Sequence, residues 1–162
     1  MCRVGRVRRR AGFTLVEVLI VVLLVGILAG IALPQFRAPQ EDARQLTFIH
    51  DLHNFAEAAK RFRLETGEHL EDAASGAVPA GWESYIDVRK WTRLTPLGGV
   101  WDVELDSYGV TSALGVDFAN GGGEDRDDAY MTEVDSTCDD GNLATGQFRR
   151  IAVGRYYYIL VP

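Results

Sequence analysis

Cysteine is nearly absent: the 162-residue chain has only Cys2 and Cys138. No CxxC spacing exists, which excludes a zinc knuckle and a dithiol redox motif, and Cys138 reads as a lone thiol or a partner between subunits. An intramolecular disulfide would need Cys2 to be retained. Histidine is as scarce, with three in all, and no GxSxG elbow, phosphate-binding loop or HExxH is present, so no motif-borne hydrolase, nucleotide or metalloprotease chemistry is written in the chain. Acid is missing from the first twelve residues, which hold Arg3, Arg6, Arg8, Arg9 and Arg10. Charge of either sign is missing from Phe13 to Leu33, with Glu17 as the single exception.

These gaps divide an otherwise ordinary composition, 47% hydrophobic and 25% charged, into unlike parts. Removing the basic start leaves 12 basic against 23 acidic side chains, a formal charge of −11 in place of −6. A body that acidic repels nucleic acid and anionic lipid, so no nucleic-acid partner is expected and membrane contact must be hydrophobic. Phe13–Leu33 supplies it: as a helix at 1.5 Å per residue it would be about 30 Å long, the thickness of a bilayer's hydrocarbon core. The preceding arginines place the N-terminus in the cytoplasm and the remainder outside. A secretory signal would be cut after the apolar run, and Gly30 and Ala32 permit a weak reading of that kind. It leaves Glu17 unexplained. A carboxylate in hydrocarbon costs roughly 3 kcal/mol on insertion scales, so it calls for a partner, the alternative being a side chain that snorkels to the interface. Gly26 and Gly30 form a GxxxG spacing that can bring two membrane helices together. Gly30 and Pro34 also weaken helical hydrogen bonding and so mark a bend.

Gly12-Phe13-Thr14-Leu15-Val16-Glu17-Val18-Leu19-Ile20, then a long apolar run and Pro34, resembles the prepilin signature of type IV pilins and type II secretion pseudopilins. The resemblance covers about the first 36 residues. It implies that a prepilin peptidase cuts between Gly12 and Phe13 and methylates the Phe13 amine, that Glu17 pairs with the N-terminal amine of a neighbouring subunit during assembly, and that the helix kinks at Pro34. Pairing the two charges in hydrocarbon relieves both. The expected protein is not an enzyme. It is a single-pass inner-membrane protein that passes into a filament, with homo-oligomeric and other pilin or pseudopilin partners, an inner-membrane assembly platform and membrane lipid. The resemblance leaves open a pilus, a secretion pseudopilus or a DNA-uptake system. The opposing reading is a membrane-tethered enzyme or binding domain on an uncleaved anchor.

The segmentation expected is a basic leader at 1–12, a membrane and assembly helix at 13–33, an amphipathic continuation at 34–67, and a β-rich periplasmic or extracellular domain at 68–162. From Gln40 to Thr66, Phe48, Ile49, Leu52, Phe55, Ala56, Ala59 and Phe62 share an arc of about 140°, an apolar stripe that faces a core, with Gly67 placed to end the helix. His50, His53 and Glu57 share the opposite face and read as a solvated surface, so no metal site is assigned. Ala73–Gly81 reads as a surface connection, Trp82–Ile86 as a short helix or turn, and Thr95–Gly99 as a turn. Val100–Leu105 and the alternating run from Tyr108 to Phe118 read as strands joined at Asp106-Ser107. Asp127–Thr137 suits a short helix, and Gln147–Val161 two strands broken near Gly154. The fold class expected is therefore α+β and pilin-like, a long N-terminal helix packed on a small antiparallel sheet. No cofactor is assigned. Calcium enters as an alternative, because some pseudopilins bind it in a C-terminal loop and Asp117, Glu124, Asp125, Asp127, Asp128, Asp139, Asp140 and Asn142 offer oxygen ligands, although no EF-hand spacing is present.

Overall fold

The computed structural model describes residues 12–35, 37–123 and 125–162, with the side chains of residues 31–39 outside the description. The expected leader up to residue 11, Cys2 included, lies outside it. The chain divides into two compact units, the first ending at Glu41 and the second running from Asp42 to Pro162.

In the first unit, α1 spans Leu15–Gln35. Thr14 opens it: its hydroxyl accepts the Glu17 amide at 3.2 Å and its carbonyl the Val18 amide at 3.3 Å. That satisfies two of the amides a helix start leaves without partners, and Glu17 stands in the first turn where the helix dipole favours an acid. The helix is apolar on every side, and Leu15 through Leu28 are exposed all round. Among the described residues no helix is long and apolar enough to cross a membrane. The stretch of α1 with described side chains ends at Gly30, about 24 Å from its start at helical rise. The expected span continues to Leu33, outside those side chains.

Helix α2 spans Arg37–Thr66 and ends at Gly67, whose φ of +79° and amide bond to the Arg63 carbonyl at 2.8 Å make the expected cap. Its whole predicted stripe is buried in the second unit. Phe48 stacks on Trp101 with ring centroids 5.2 Å apart, and Phe55 meets Trp91 and Trp101 edge-on at 5.0 Å each. Trp82, Trp91 and Trp101 are all fully buried, so the segment read from sequence as a surface connection leads directly into the core at Trp82. Trp82–Ile86 takes the turn of the two expected forms, the Tyr85 amide donating to the Trp82 carbonyl at 3.0 Å, and the short helix α3 follows at Val88–Trp91, where Asp87 caps it by accepting the Arg89 amide.

The sheet comprises β1 (Val100–Ser107), β2 (Val110–Asp117), β3 (Phe148–Ala152) and β4 (Arg155–Val161), all antiparallel in the order β1-β2-β4-β3. The β1–β2 turn is Tyr108-Gly109 rather than Asp106-Ser107, with Ser107 paired to Val110. Both turn residues have positive φ, 49° and 78°, as a two-residue hairpin matched to strand twist requires. Gly109 adopts that conformation without cost and fixes the register, and the sequence alternation, which runs unbroken through Tyr108, conceals it. Helix α4 (Asp128–Cys138) makes the crossover from β2 to β3. Trp101, Val103, Leu114, Val116, Tyr156 and Tyr158 join the α2 stripe in one core, while Tyr157 packs with Val110, Ala113 and Ile159 on the other face of the sheet. The three tyrosines thus divide between faces, as their alternation implies. A small antiparallel sheet with helices is an α+β architecture.

Candidate functional site

Three sets of acids stand out, each treated differently by the fold. The first is Glu17. Gly12 and Phe13 precede α1 in extended chain; Phe13 is 82% exposed, and a β-carbon placed on Gly12 would meet no atom within 4 Å. Glu17 is exposed and has no ion-pair partner among the described residues. Pro34 lies inside α1, one residue before its end, with its side chain outside the description.

Of the second set the sequence singled out Asp117 alone, as a candidate calcium ligand, and not the grouping. Asp102 and Glu104 on β1 and Asp117 at the end of β2 point to the sheet face away from α2 and are buried. Arg155 on β4 joins them: it pairs with Glu104, reaches Asp117 at 2.9 Å and lies 3.8 Å from Asp102. The Tyr157 hydroxyl donates to Asp102 at 2.6 Å, and Ser75 lies against Asp102 at 3.2 Å and Asp117 at 2.9 Å. Burial pushes the Asp102 carboxyl up to about 6, opposed by the Tyr157 hydrogen bond and reinforced by Glu104. Asp117 is held below its ordinary value: burial raises it, but hydrogen bonds from Asn120 and Ser75, with the Arg155 charge, outweigh that. The group is a clamp of three acids gathered around one guanidinium, hydrogen-bonded within the chain, that ties the 75–76 segment to the sheet, helped by the Gly76 amide on the Trp101 carbonyl at 2.8 Å.

The third set lies where α4 ends. One oxygen from each of Asp135, Asp139 and Asp140 falls within 4.8 Å of the others. Asp135 is fully buried, and neither of its carboxylate oxygens has a hydrogen-bond partner among the described residues. Burial, then Asp140 and Asp139, push its carboxyl up to about 6, while the nearby Asn142 and Gly141 amides pull the other way. Sequence did carry a signal for it: Asp135 shares the inward face of α4 with Met131, Val134 and Cys138.

The remaining sequence candidates are occupied elsewhere. Asp127 caps α4 by accepting the Tyr130 amide at 2.9 Å, and Asp128 pairs with Arg150 at 2.8 Å and accepts the Tyr156 hydroxyl. Asn142 accepts the Ala144 amide, Asp125 is exposed, and Glu124 lies outside the described residues. His50 contacts Asn54, His53 meets the Tyr158 ring, and Glu57 pairs with Lys60 at 2.8 Å, so these three do not converge. Cys138 is a free, half-buried thiol pushed up to about 12 by burial and by Asp135 and Asp139, far from a reactive thiolate.

Residues 7–33 match the model of the prokaryotic N-terminal methylation motif. The chain carries the prepilin motif. It is also similar to proteins named type II secretion system core protein G. That of Aeromonas hydrophila is 32% identical over 62 residues, 38% of this chain and 43% of that one. That of Pseudomonas aeruginosa is 33% identical over 58 residues, 36% and 41% of the two chains. That of Vibrio cholerae is 33% identical over 60 residues, 37% and 41%. The chain thus spans well under half the length of these relatives. No solved structure matches it. Within the prepilin motif, Gly12, Phe13 and Glu17 stand in the order and spacing noted above.

Proposed function

We propose that the chain is the precursor of a pseudopilin-like structural subunit that assembles through its N-terminal helix. A prepilin peptidase removes residues 1–12 and methylates Phe13. The 13–33 helix then remains as a single inner-membrane anchor, 34–67 continues it as an amphipathic helix, and 68–162 forms the periplasmic or extracellular domain. Glu17 pairs with the Phe13 amine of a neighbouring subunit, and Pro34 bends the helix. The assembly platform and other pseudopilins are the partners.

The observation that carries this reading is the methylation motif over residues 7–33, centred on an apolar helix that bears a single acid in its first turn. An apolar helix with no polar face needs lipid or other helices around it, and an acid in such a surface, with no ion-pair partner among the described residues, calls for one from another chain. The relatives' name favours a secretion pseudopilus over a pilus or DNA-uptake filament.

Mass spectrometry of the native N-terminus tests it. N-methylated Phe13 is expected. An intact Met1 or a start beyond Leu33 would overturn the reading, the former in favour of an uncleaved membrane-tethered domain.

A further inference from the structure

The clamp on the sheet holds more hydrogen-bond contacts than its hydroxyl groups can fill. Ser75 Oγ lies 2.9 Å from Asp117 Oδ2 and 3.2 Å from Asp102 Oδ2, and Tyr157 Oη lies 2.6 Å from the same Asp102 oxygen. An oxygen–oxygen contact of this length needs a proton between its atoms. A hydroxyl carries one and an ionised carboxylate none, so Tyr157 and Ser75 leave one of these contacts without a proton. The missing proton belongs on a carboxyl group. Asp117 is a poor place for it. Its oxygens already accept from the Ala119 and Asn120 amides, the Asn120 side chain, Arg155 and Ser75, more donors than its roughly four lone-pair sites. That saturation also leaves Asp117 nothing to offer a metal. Arg155 pairs with Glu104 and reaches Asp117 at 2.9 Å, but stays 3.8 Å from Asp102. One guanidinium thus serves two of the acids directly, and Asp102 is the third.

What these contacts hold is a strap. Leu70 is buried and the Ala77 carbonyl accepts Trp91 Nε1 at 2.7 Å, so both ends of the segment are fixed in the core. Between them residues 71–76 are exposed or half-buried. Their ties to the sheet are Ser75 Oγ and the Gly76 amide, which donates to the Trp101 carbonyl at 2.8 Å. An open cleft of about 420 Å³ beside the strap is lined in part by Asp72, Ser75, Asp102, Glu104, Tyr108 and Arg155. A proton on Asp102 therefore exchanges with water without unfolding of the sheet.

We propose that Asp102 is the proton-operated part of a latch: protonated, it completes the Tyr157–Asp102–Ser75–Asp117 chain and holds the 71–76 strap on the sheet, and ionised, it loosens the strap. Burial pushes its carboxyl up to about 6 and Glu104, on the same strand, adds to this, while the Tyr157 and Ser75 hydrogen bonds and the Arg155 charge oppose it. Asp117 from β2, and Asp72 and Tyr108 at the cleft, are the other titratable groups on that face. Because the value is raised, the strap is held most firmly below about pH 4, the ordinary carboxylate range, and loses that hold as pH rises through about 6. Trp101 lies on β1, an edge of the sheet, so loosening frees a backbone acceptor on that open side. The latch lies within the second unit and does not rest on the filament reading.

The test uses the full-length chain in mild detergent and follows amide exchange at Gly76 by NMR or fragmentation mass spectrometry, corrected for the intrinsic rate at each pH. We expect Gly76 protection to fall at least about tenfold between about pH 4.5 and pH 7, while amides of the central strand β2 fall less. Asp102→Asn offers Ser75 an N–H in place of the missing proton and Tyr157 an oxygen, so its Gly76 protection stays at the acid wild-type level throughout. Ser75→Ala cuts the chain, so its Gly76 protection is low at both ends of the range. If Asp102→Asn does not fold, Ser75→Ala is read in its place. Wild-type Gly76 protection that does not change across the range would overturn the proposal. So would an equal fall in the β2 amides, or a wild-type pH dependence in Asp102→Asn or in its substitute.

Discussion

Helix α1 and the α2–sheet unit handle carboxylates in opposite ways. Around Arg155 the globular unit buries three acids and surrounds them with a guanidinium, two hydroxyl groups and backbone amides. Helix α1 sets one acid into an apolar surface and gives it no ion-pair partner among the described residues. In the first case the charge is settled within the chain, so its role is stability. In the second no ion-pair partner stands among the described residues, and in the reading proposed above that acid serves association. Asp135 lies between the two, buried like the clamp and unpartnered like Glu17.

The most drastic way to break this comparison is at the N-terminus. Gly12→Val is expected to block processing, leaving a precursor about twelve residues heavier by mass spectrometry. Glu17→Ala should leave membrane insertion intact, since it removes only a cost to insertion, and reduce sheared filament yield by roughly tenfold or more if its partner is worth over 1.4 kcal/mol. Normal assembly of Glu17→Ala would leave the fold standing and remove the pairing mechanism.

Next comes Arg155→Ala. Removing the common cation leaves Asp102, Glu104 and Asp117 buried together, and breaking a buried pair in this way costs about 3–5 kcal/mol. Denaturant unfolding of the full chain in detergent should show that loss. A change under about 1 kcal/mol would mean that the clamp is hydrated in solution and behaves as a surface ion pair.

The pH dependence sharpens the same point. The Asp102 carboxyl is raised in the fold, to about 6, so the folded state holds its proton more tightly than the unfolded state. Its contribution to stability is therefore fully present below about pH 4 and lost as pH rises through about 6, with an upper bound of about 3 kcal/mol. Asp117, held low, contributes in the opposite sense, stabilising above about pH 4 and losing that effect as pH falls. Asp102→Asn keeps an oxygen to accept the Tyr157 hydroxyl, and should flatten the wild-type decline between pH 4 and 6. Equal slopes in the two proteins would show that Asp102 ionises normally.

What the sequence disclosed follows from the range of each interaction. The α2 stripe was legible because helical period and apolar burial are local, and Phe48 to Phe62 obey both. The prepilin motif was legible because it occupies one continuous stretch. The clamp was not. Alternation assigns Asp102, Glu104 and Asp117 to the face of the strands away from the helix, and a polar residue there normally meets water. Only the return of the 75–76 segment over that face, and of β4 beside β2, encloses them. The hairpin turn was displaced because Tyr108, with φ of 49°, hides a left-handed position inside an alternating pattern. Asp135 was passed over for a simpler reason. In a short polar helix its spacing to Met131, Val134 and Cys138 is a signal in the sequence, but one that the surrounding polar residues mask until that face is seen to be buried.

The smallest effect expected separates capping from burial on a single helix. Asp127 and Asp135 both belong to α4, one as its exposed N-cap and the other on its buried face. Asp127→Ala removes the acceptor of the Tyr130 amide and should cost about 1 kcal/mol, the ordinary value of an N-cap. Asp135→Asn removes a buried carboxylate but no side-chain hydrogen bond seen among the described residues, so it should cost less than the cap or even stabilise. If Asp135→Asn proves the more damaging of the two, then Asp135 is compensated within the chain after all and belongs with the clamp acids rather than with Glu17.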